Sequence, residues 1–225
     1  MATIIFDFDG TLHESLVIYA PAVHQSIRYL IDVEGIAANF PTDEDIAYWI
    51  GSAGIDVWDA LVPGITPELK QICGSMVGQE MKRLTQSGEA KLYPFALEAL
   101  GVLRDNGHTL IFLSNCKRDY MDTHAESFRL TEYFHGFYCA QDYGRQPKYR
   151  IFESIALDFP VESDAAGQGY IIVGDRDKDI EIAQVHGLPF IGCTYGYGTL
   201  EELSEATLLC HTLEDLPALV EQLAS

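Results

Sequence analysis

The chain has 225 residues, 48% of them hydrophobic, with fourteen Lys and Arg against thirty-four Asp and Glu and a formal charge of −20. That length suits one generous domain, or one domain carrying a smaller insertion. The acidity argues against nucleic acid and anionic membrane as partners; beyond that it reads as plain solubility, and an anionic substrate can still be met by a metal and a few cations.

The five cysteines (Cys73, Cys116, Cys139, Cys193 and Cys210) are odd in number and form no Cys-x-x-Cys pair. Their scatter argues against a disulfide framework and a zinc site, and for a reducing compartment. Met1 leads straight into an apolar run with no charged-then-apolar leader, and no run approaches membrane-spanning length, so the expected location is the cytoplasm.

The first element is Ile4-Ile5-Phe6, which runs into Asp7-Phe8-Asp9-Gly10-Thr11-Leu12. An apolar run closed by a turn signal predicts a strand buried on both faces, as in parallel sheets. The acidic pair then falls where the strand ends. Two like charges there are costly unless a cation, hydrogen bonds or a proton compensates, so the stretch asks for a metal. Two plainer readings compete. A capped turn needs only one of the carboxylates. A calcium loop needs an oxygen ligand and then a glycine further on, and Leu12 stands there instead.

From about Ser15 to Gly88 the pattern is helical, with Leu16, Tyr19, Val23, Ile27, Leu30 and Ile31 at three-to-four spacing. Thr42 caps one helix start with acids in its first turn, and Thr66-Pro67-Glu68 opens another with Pro at its first position. Three or four helices and no strand are expected over 15–88, an inserted helical subdomain. Residues 1–14 and 89–225 form the rest.

Beyond Leu92, strand and helix patterns alternate. Helices are expected over Pro94–Asn106, onward to about Leu130, over Lys148–Asp158, to His186 and from about Leu213 to Leu223. Strands are expected at Thr109–Leu113, Phe137–Ala140, Tyr170–Val173, Pro189–Cys193 and Thr207–Cys210. This order predicts an α/β protein with a doubly wound parallel sheet, whose ligands bind beyond the carboxyl ends of the strands. Asp7, Asp9, Ser114, Asn115 and Asp175 all fall at such ends.

Gly174-Asp175-Arg176-Asp177-Lys178-Asp179 is the second acidic cluster. Ile180 and His186 stand where a calcium loop needs glycine and glutamate, whereas Mg²⁺, content with few carboxylates, suits Asp7, Asp9 and Asp175 sharing one ion. The alternative is a solvated acidic helix start. Ser114-Asn115 offers a hydroxyl and backbone N–H groups to an anion, or is simply a turn. Lys148 opens a helix, where the macrodipole disfavours a cation; it is either a surface lysine or a cation kept at a local cost for function. No phosphate-loop Gly-Lys, Gly-x-Gly-x-x-Gly, Gly-x-Ser-x-Gly or His-Glu-x-x-His occurs.

Asp7-Phe8-Asp9-Gly10-Thr11-Leu12, Leu113-Ser114-Asn115, Lys148 and Gly174-Asp175-(three residues)-Asp179 resemble, in order and setting, the four motifs of the haloacid dehalogenase (HAD) superfamily. Leu92-Tyr93-Pro94 and Thr194-Tyr195-Gly196-Tyr197-Gly198 resemble its phosphoglycolate phosphatase-like branch. The resemblance implies a Rossmann-like core with the helical insertion as a cap that closes over the cleft and selects substrate. It implies Asp7 as nucleophile forming an aspartyl-phosphate, Asp9 as acid and then base, and Ser114 and Lys148 holding the transferred group. Gly10, Thr11 and Asn115 would bind phosphate or substrate. Mg²⁺ would be held by Asp7, the backbone carbonyl of Asp9 and Asp175, with Asp179 orienting Lys148 or a water of the ion's shell. Trp49-Ile50-Gly51 resembles a cap turn that approaches substrate, making Gly51 a specificity candidate, while Trp49 and Trp58 are expected to pack inside the cap. His13-Glu14-Ser15 departs from the usual apolar-Asp-Ser, and Pro147 precedes Lys148 instead of following it.

The expected activity is a Mg²⁺-dependent phosphatase of a small phosphomonoester, phosphoglycolate or a sugar phosphate, acting as monomer or homodimer. A β-phosphoglucomutase-like phosphomutase is the nearest rival, and it would need a basic cluster in the cap that the sequence lacks. A phosphonatase would need a desolvated cap lysine, a setting neither Lys70 nor Lys82 has. A non-catalytic binding or regulatory module on the same fold is the remaining alternative.

Overall fold

The computed structural model describes residues 1–50, 57–161 and 169–224. It divides into two compact units, Met1–Glu14 with Leu92–Ser225, and Ser15–Lys91.

The first unit is built on β1 (Thr3–Phe6), β2 (Thr109–Ser114), β3 (Gly136–Cys139), β4 (Tyr170–Gly174), β5 (Phe190–Cys193) and β6 (Leu208–Cys210). They form one sheet in the order β3-β2-β1-β4-β5-β6, every pair parallel. Side chains alternate along a strand, so a strand covered on both faces must be apolar throughout. Ile4 and Phe6 accordingly face one core with Leu110, Phe112, Ile171 and Val173. Ile5 faces the other with Ile111, Leu113 and Ile172. Helices α5 (Ala96–Asp105), α6 (Arg118–Ser127) and α9 (Leu216–Leu223) cover the first face; α7 (Lys148–Asp158) and α8 (Asp177–His186) cover the second. This is the doubly wound α/β arrangement the alternation predicts.

In the second unit, α1 (Leu16–Asp32), α2 (Asp43–Ala47), α3 (Val57–Leu61) and α4 (Pro67–Gln86) are the helices, and no strand occurs among its described residues. Ile18, Val23, Ile27 and Leu30 of α1 and Cys73, Val77, Met81 and Leu84 of α4 supply buried apolar side chains. Thr42 and Asp45 form a reciprocal cap, Asp45 N–H donating to the Thr42 hydroxyl at 3.2 Å and Thr42 N–H to the Asp45 carboxylate at 2.8 Å. Thr66 caps α4, with Pro67 inside its first turn. Trp58 is buried while Trp49 is half-buried; Gly51 lies outside the described residues.

Element ends differ from expectation by a few residues. The helix expected from Pro94 begins at Ala96, because Phe95 takes a left-handed conformation (φ 67°) that ends the preceding turn. The helix expected to reach Leu130 stops at Ser127 and is followed by a short 3₁₀ turn over Leu130–Glu132. The last helix starts at Leu216, not Leu213.

Candidate active site

Register brings the predicted residues together. Phe6 pairs with Phe112 on one side and Val173 on the other, so the chain leaves β1, β2 and β4 in one row. Asp7, Ser114 and Asp175 stand along that row. By the alternation that puts Ile5 on the α7/α8 face, Asp7 turns to the same face. Lys148, the first residue of α7, and Asp179, in the first turn of α8, meet it there.

The Lys148 ammonium donates to Asp7 Oδ1 at 2.6 Å and to Asp179 Oδ1 at 2.7 Å, with all three side chains buried. The cation that a helix start disfavours is thus held by two carboxylates. Asp179 is fixed in turn by the Arg176 backbone N–H, which donates to its Oδ2 at 3.1 Å. Asp175, fully buried, accepts from the Thr11 hydroxyl at 3.2 Å and from the Tyr197 backbone N–H at 2.7 Å. Thr11, a residue expected at the substrate, is itself buried and directs its hydroxyl to this carboxylate.

Close packing around Asp175 explains two glycines. Gly10 has φ 87°, and a Cβ there would overlap the Asp175 carboxylate; a Cβ at Gly198 would overlap the Asp175 carbonyl oxygen. The Tyr195–Gly198 loop therefore lies directly against the β4 end, and the Tyr195 hydroxyl donates to the Thr11 carbonyl at 2.8 Å.

Asp7, Asp175 and Asp179 offer carboxylate oxygens all within 4.8 Å of one another. Burial, and then the charge of Asp179, push Asp7 well above the usual carboxylate range despite Lys148. The same two causes raise Asp175 to about 7, against the bonds from Tyr197 and Thr11 and the charge of Lys148. Burial opposes the charge on Lys148, but Asp179 and Asp7 outweigh it and hold the ammonium's pKa above its ordinary value. With all three carboxyls ionised, the one ammonium would leave an excess of two negative charges among buried oxygen ligands. A hard divalent cation fits that donor set and that charge.

Asp9 sits in a different setting. The chain turns sharply after Phe8, whose carbonyl accepts from the N–H groups of Leu12 and His13 at 2.9 Å each. Asp9 Oδ1 accepts from the Tyr120 hydroxyl at 2.6 Å and lies 2.9 Å from His13 Nδ1. Burial raises its pKa, but the His13 and Tyr120 bonds and the His13 and His124 charges outweigh burial and hold it below the ordinary carboxylate value. His13 and Tyr120 were not among the expected site residues. His13 showed only as a departure from the familiar pattern, and Tyr120 carried no signal, being one aromatic in an amphipathic helix. Ser114 is buried and Asn115 half-buried at the β2 end.

The strand ends of this parallel α/β sheet thus gather three carboxylates around one buried lysine. Residues 4–193 match the haloacid dehalogenase-like hydrolase model, and the chain belongs to that family. It is an enzyme, of the phosphoric monoester hydrolase class. Among similar proteins, a phosphoglycolate phosphatase of Agrobacterium fabrum (strain C58) is 27% identical over 227 residues, covering 98% of this chain and 93% of the relative. The phosphoglycolate phosphatase of Escherichia coli (strain K12) is 26% identical, covering 96% and 91%. A crystal structure of a predicted phosphatase from Clostridium acetobutylicum shares the fold, with a TM-score of 0.78 at 21% identity and 98% coverage of each chain. No helix among the described residues is long and apolar enough to cross a membrane.

Proposed function

We propose that the chain is a Mg²⁺-dependent phosphatase of a small phosphomonoester, of the phosphoglycolate or sugar phosphate class, working through an aspartyl-phosphate on Asp7. The observation that carries this is the buried Lys148 ammonium between Asp7 and Asp179, with Asp175 in the same cluster. The names of the relatives support the substrate class.

Asp7, the backbone carbonyl of Asp9 and Asp175 would hold Mg²⁺, with Asp179 beside them. When bound, the ion offsets the negative charge of the cluster and of the phosphoryl oxygens. A carboxylate oxygen of Asp7 attacks phosphorus, and the ester P–O bond breaks. Protonated Asp9 gives its proton to the departing oxygen; as carboxylate it then takes one from water. That water's oxygen bonds to phosphorus, the P–O bond to Asp7 breaks, and inorganic phosphate leaves. Lys148 and Ser114 hold the transferring group by charge and hydrogen bonding. In this reading residues 15–88 are the cap that selects substrate, Gly51 contributes to that selection, and the five free thiols fit a reducing cytoplasm.

Incubation with phosphoglycolate, glucose 1-phosphate and other small phosphate esters, with Mg²⁺ and with excess chelator, tests the reading. Free phosphate formed only with Mg²⁺ is expected. Isomerisation of glucose 1-phosphate without phosphate release would identify a mutase instead, and no turnover of any ester would leave the binding-module alternative standing.

A further inference from the structure

The bonds around Asp9 carry an inference of their own, resting on the reading of Asp9 as acid and base. A carboxylate only accepts, so the Tyr120 O–H and the His13 Nδ1–H are both donors to Asp9 Oδ1, at 2.6 and 2.9 Å. The Tyr120 oxygen is also 3.1 Å from His13 Nδ1, close enough to share that N–H. Among the described residues Asp9 Oδ2 takes no hydrogen bond, although the side chain is 20% exposed.

Among the described residues, the His13 imidazole makes its hydrogen bonds at Nδ1, to Asp9 and Tyr120. The side chain is fully buried, stacked on Phe8 at 4.9 Å, 4.7 Å from the His124 ring and 6.0 Å from Phe128. An aliphatic side chain suits that environment without a polar atom to satisfy. The ring instead leaves Nε2 buried with no hydrogen-bond partner among the described residues. An unmet buried nitrogen is a cost, and among the described residues the hydrogen bonds that offset it are those of Nδ1 to Asp9 and Tyr120. Tyr120 is anchored from α6: its ring lies 4.0 Å from the His124 ring, and His124 Nδ1 bonds the Tyr120 carbonyl at 2.8 Å.

We propose that His13 and Tyr120 are positioning residues for the acid/base carboxylate, clamping Asp9 Oδ1 from two donors so that Oδ2 is the oxygen that exchanges the proton. In the first half-reaction the Oδ2 proton passes to the ester oxygen as its bond to phosphorus breaks. In the second, Oδ2 takes a proton from water as the water oxygen bonds to phosphorus and the bond to Asp7 breaks. Neither His13 nor Tyr120 touches the reacting atoms.

The readout is leaving-group dependence. An alkyl ester such as phosphoglycolate needs a proton at the departing oxygen, whereas p-nitrophenyl phosphate releases a stable anion and needs it far less. kcat/KM reports events through departure of the alcohol, so it isolates the acid step. In Tyr120→Phe and His13→Leu, kcat/KM for phosphoglycolate should fall about tenfold or more and that for p-nitrophenyl phosphate about threefold or less. His13→Asn, whose amide N–H occupies roughly the Nδ1 position, should recover most of the loss. Equal falls for both esters, or no rescue by Asn, would overturn the positioning role. Asp9→Asn is the reference: if it shows no split between the esters, the acid/base reading of Asp9 fails and the proposal with it. If Asp9→Asn splits them and the two clamp variants do not, the clamp alone is wrong. Metal-free crystal structures give a second readout, in which the Asp9 carboxylate should leave its place in Tyr120→Phe; an unmoved carboxylate in both clamp variants also refutes the clamp.

Discussion

Asp7 and Asp9 are two residues apart at the end of one strand, yet their surroundings are opposite. Asp7 points to the α7/α8 face, where two further carboxylates and one ammonium are buried with it. Asp9, past the turn, meets α6 and accepts from a phenol and an imidazole. One environment pushes the carboxyl up and the other holds it down. Strand alternation and the turn after Phe8 suffice to give the same functional group two surroundings, one of buried carboxylates and an ammonium, the other of two hydrogen-bond donors. The test with the largest expected effect is Asp7→Asn. It should lower kcat by about four orders of magnitude or more, since a lost nucleophile has no substitute. Circular dichroism and melting should show an intact fold. Retained turnover would mean the two carboxylates do not divide the work this way.

Lys148→Met comes next. The side chain keeps its bulk while three buried carboxylates lose their cation. Breaking a buried pair by removing one partner costs about 3–5 kcal/mol, and kcat should fall about 10²–10³-fold as the phosphoryl group loses a charged donor. The stability loss in metal-free protein should shrink as pH falls, because protons then neutralise the carboxylates Lys148 leaves behind. Urea unfolding at pH 5 and pH 8 with chelator measures this. A loss that is the same at both values would mean the Asp7 cluster is not charged as described.

The pH dependence of the cluster itself follows from Asp175, raised in the folded state to about 7 from an ordinary 3.8. Below about pH 4 both folded and unfolded chains hold the proton, and the group costs nothing. Between about 4 and 7 only the folded chain holds it, so each rise of one pH unit removes up to about 1.4 kcal/mol of stability. Above 7 the penalty is fully present. Asp175→Asn removes this titration, so metal-free melting temperatures of variant and parent should diverge in the variant's favour between pH 5 and 7. Saturating Mg²⁺ should reverse the order, because the ion stabilises only the chain that binds it. No reversal would argue against Asp175 as a ligand.

These contrasts were unevenly visible in the amino-acid sequence. The sheet was legible because strands covered on both faces must be continuously apolar, and Ile4–Phe6, Leu110–Leu113 and Tyr170–Val173 are. Asp7, Lys148, Asp175 and Asp179 were legible as polar groups at strand ends and helix starts, and the structure brings these four into one buried cluster. The surroundings of Asp9 were not legible. His13 and Tyr120 are 107 positions apart and meet only through tertiary packing of α6 on the β1 turn. Asp175's second donor is the backbone N–H of Tyr197, which no side-chain pattern records. The helix start at Ala96 was missed because the left-handed Phe95 is an aromatic in a conformation that usually goes to glycine.

The smallest effect is also the sharpest boundary test between the two environments. Thr11 lies two residues beyond Asp9 in sequence but gives its hydroxyl to Asp175, the Asp7 side of the site. Thr11→Val keeps the shape and removes one buried bond to a carboxylate, worth about 1.5–3 kcal/mol at most and less as Asp175 takes up a proton. Metal-free stability at pH 8 should therefore drop by about 1–2 kcal/mol and recover as pH falls towards 5. The Mg²⁺ midpoint should rise a fewfold, because the ligand's orientation is less fixed. The ratio of kcat/KM between alkyl and aryl esters should stay where it is, since Asp9 and its two donors are untouched. A shift in that ratio would show that the two carboxylates are coupled through the Thr11 turn, and the division drawn between them would have to be abandoned.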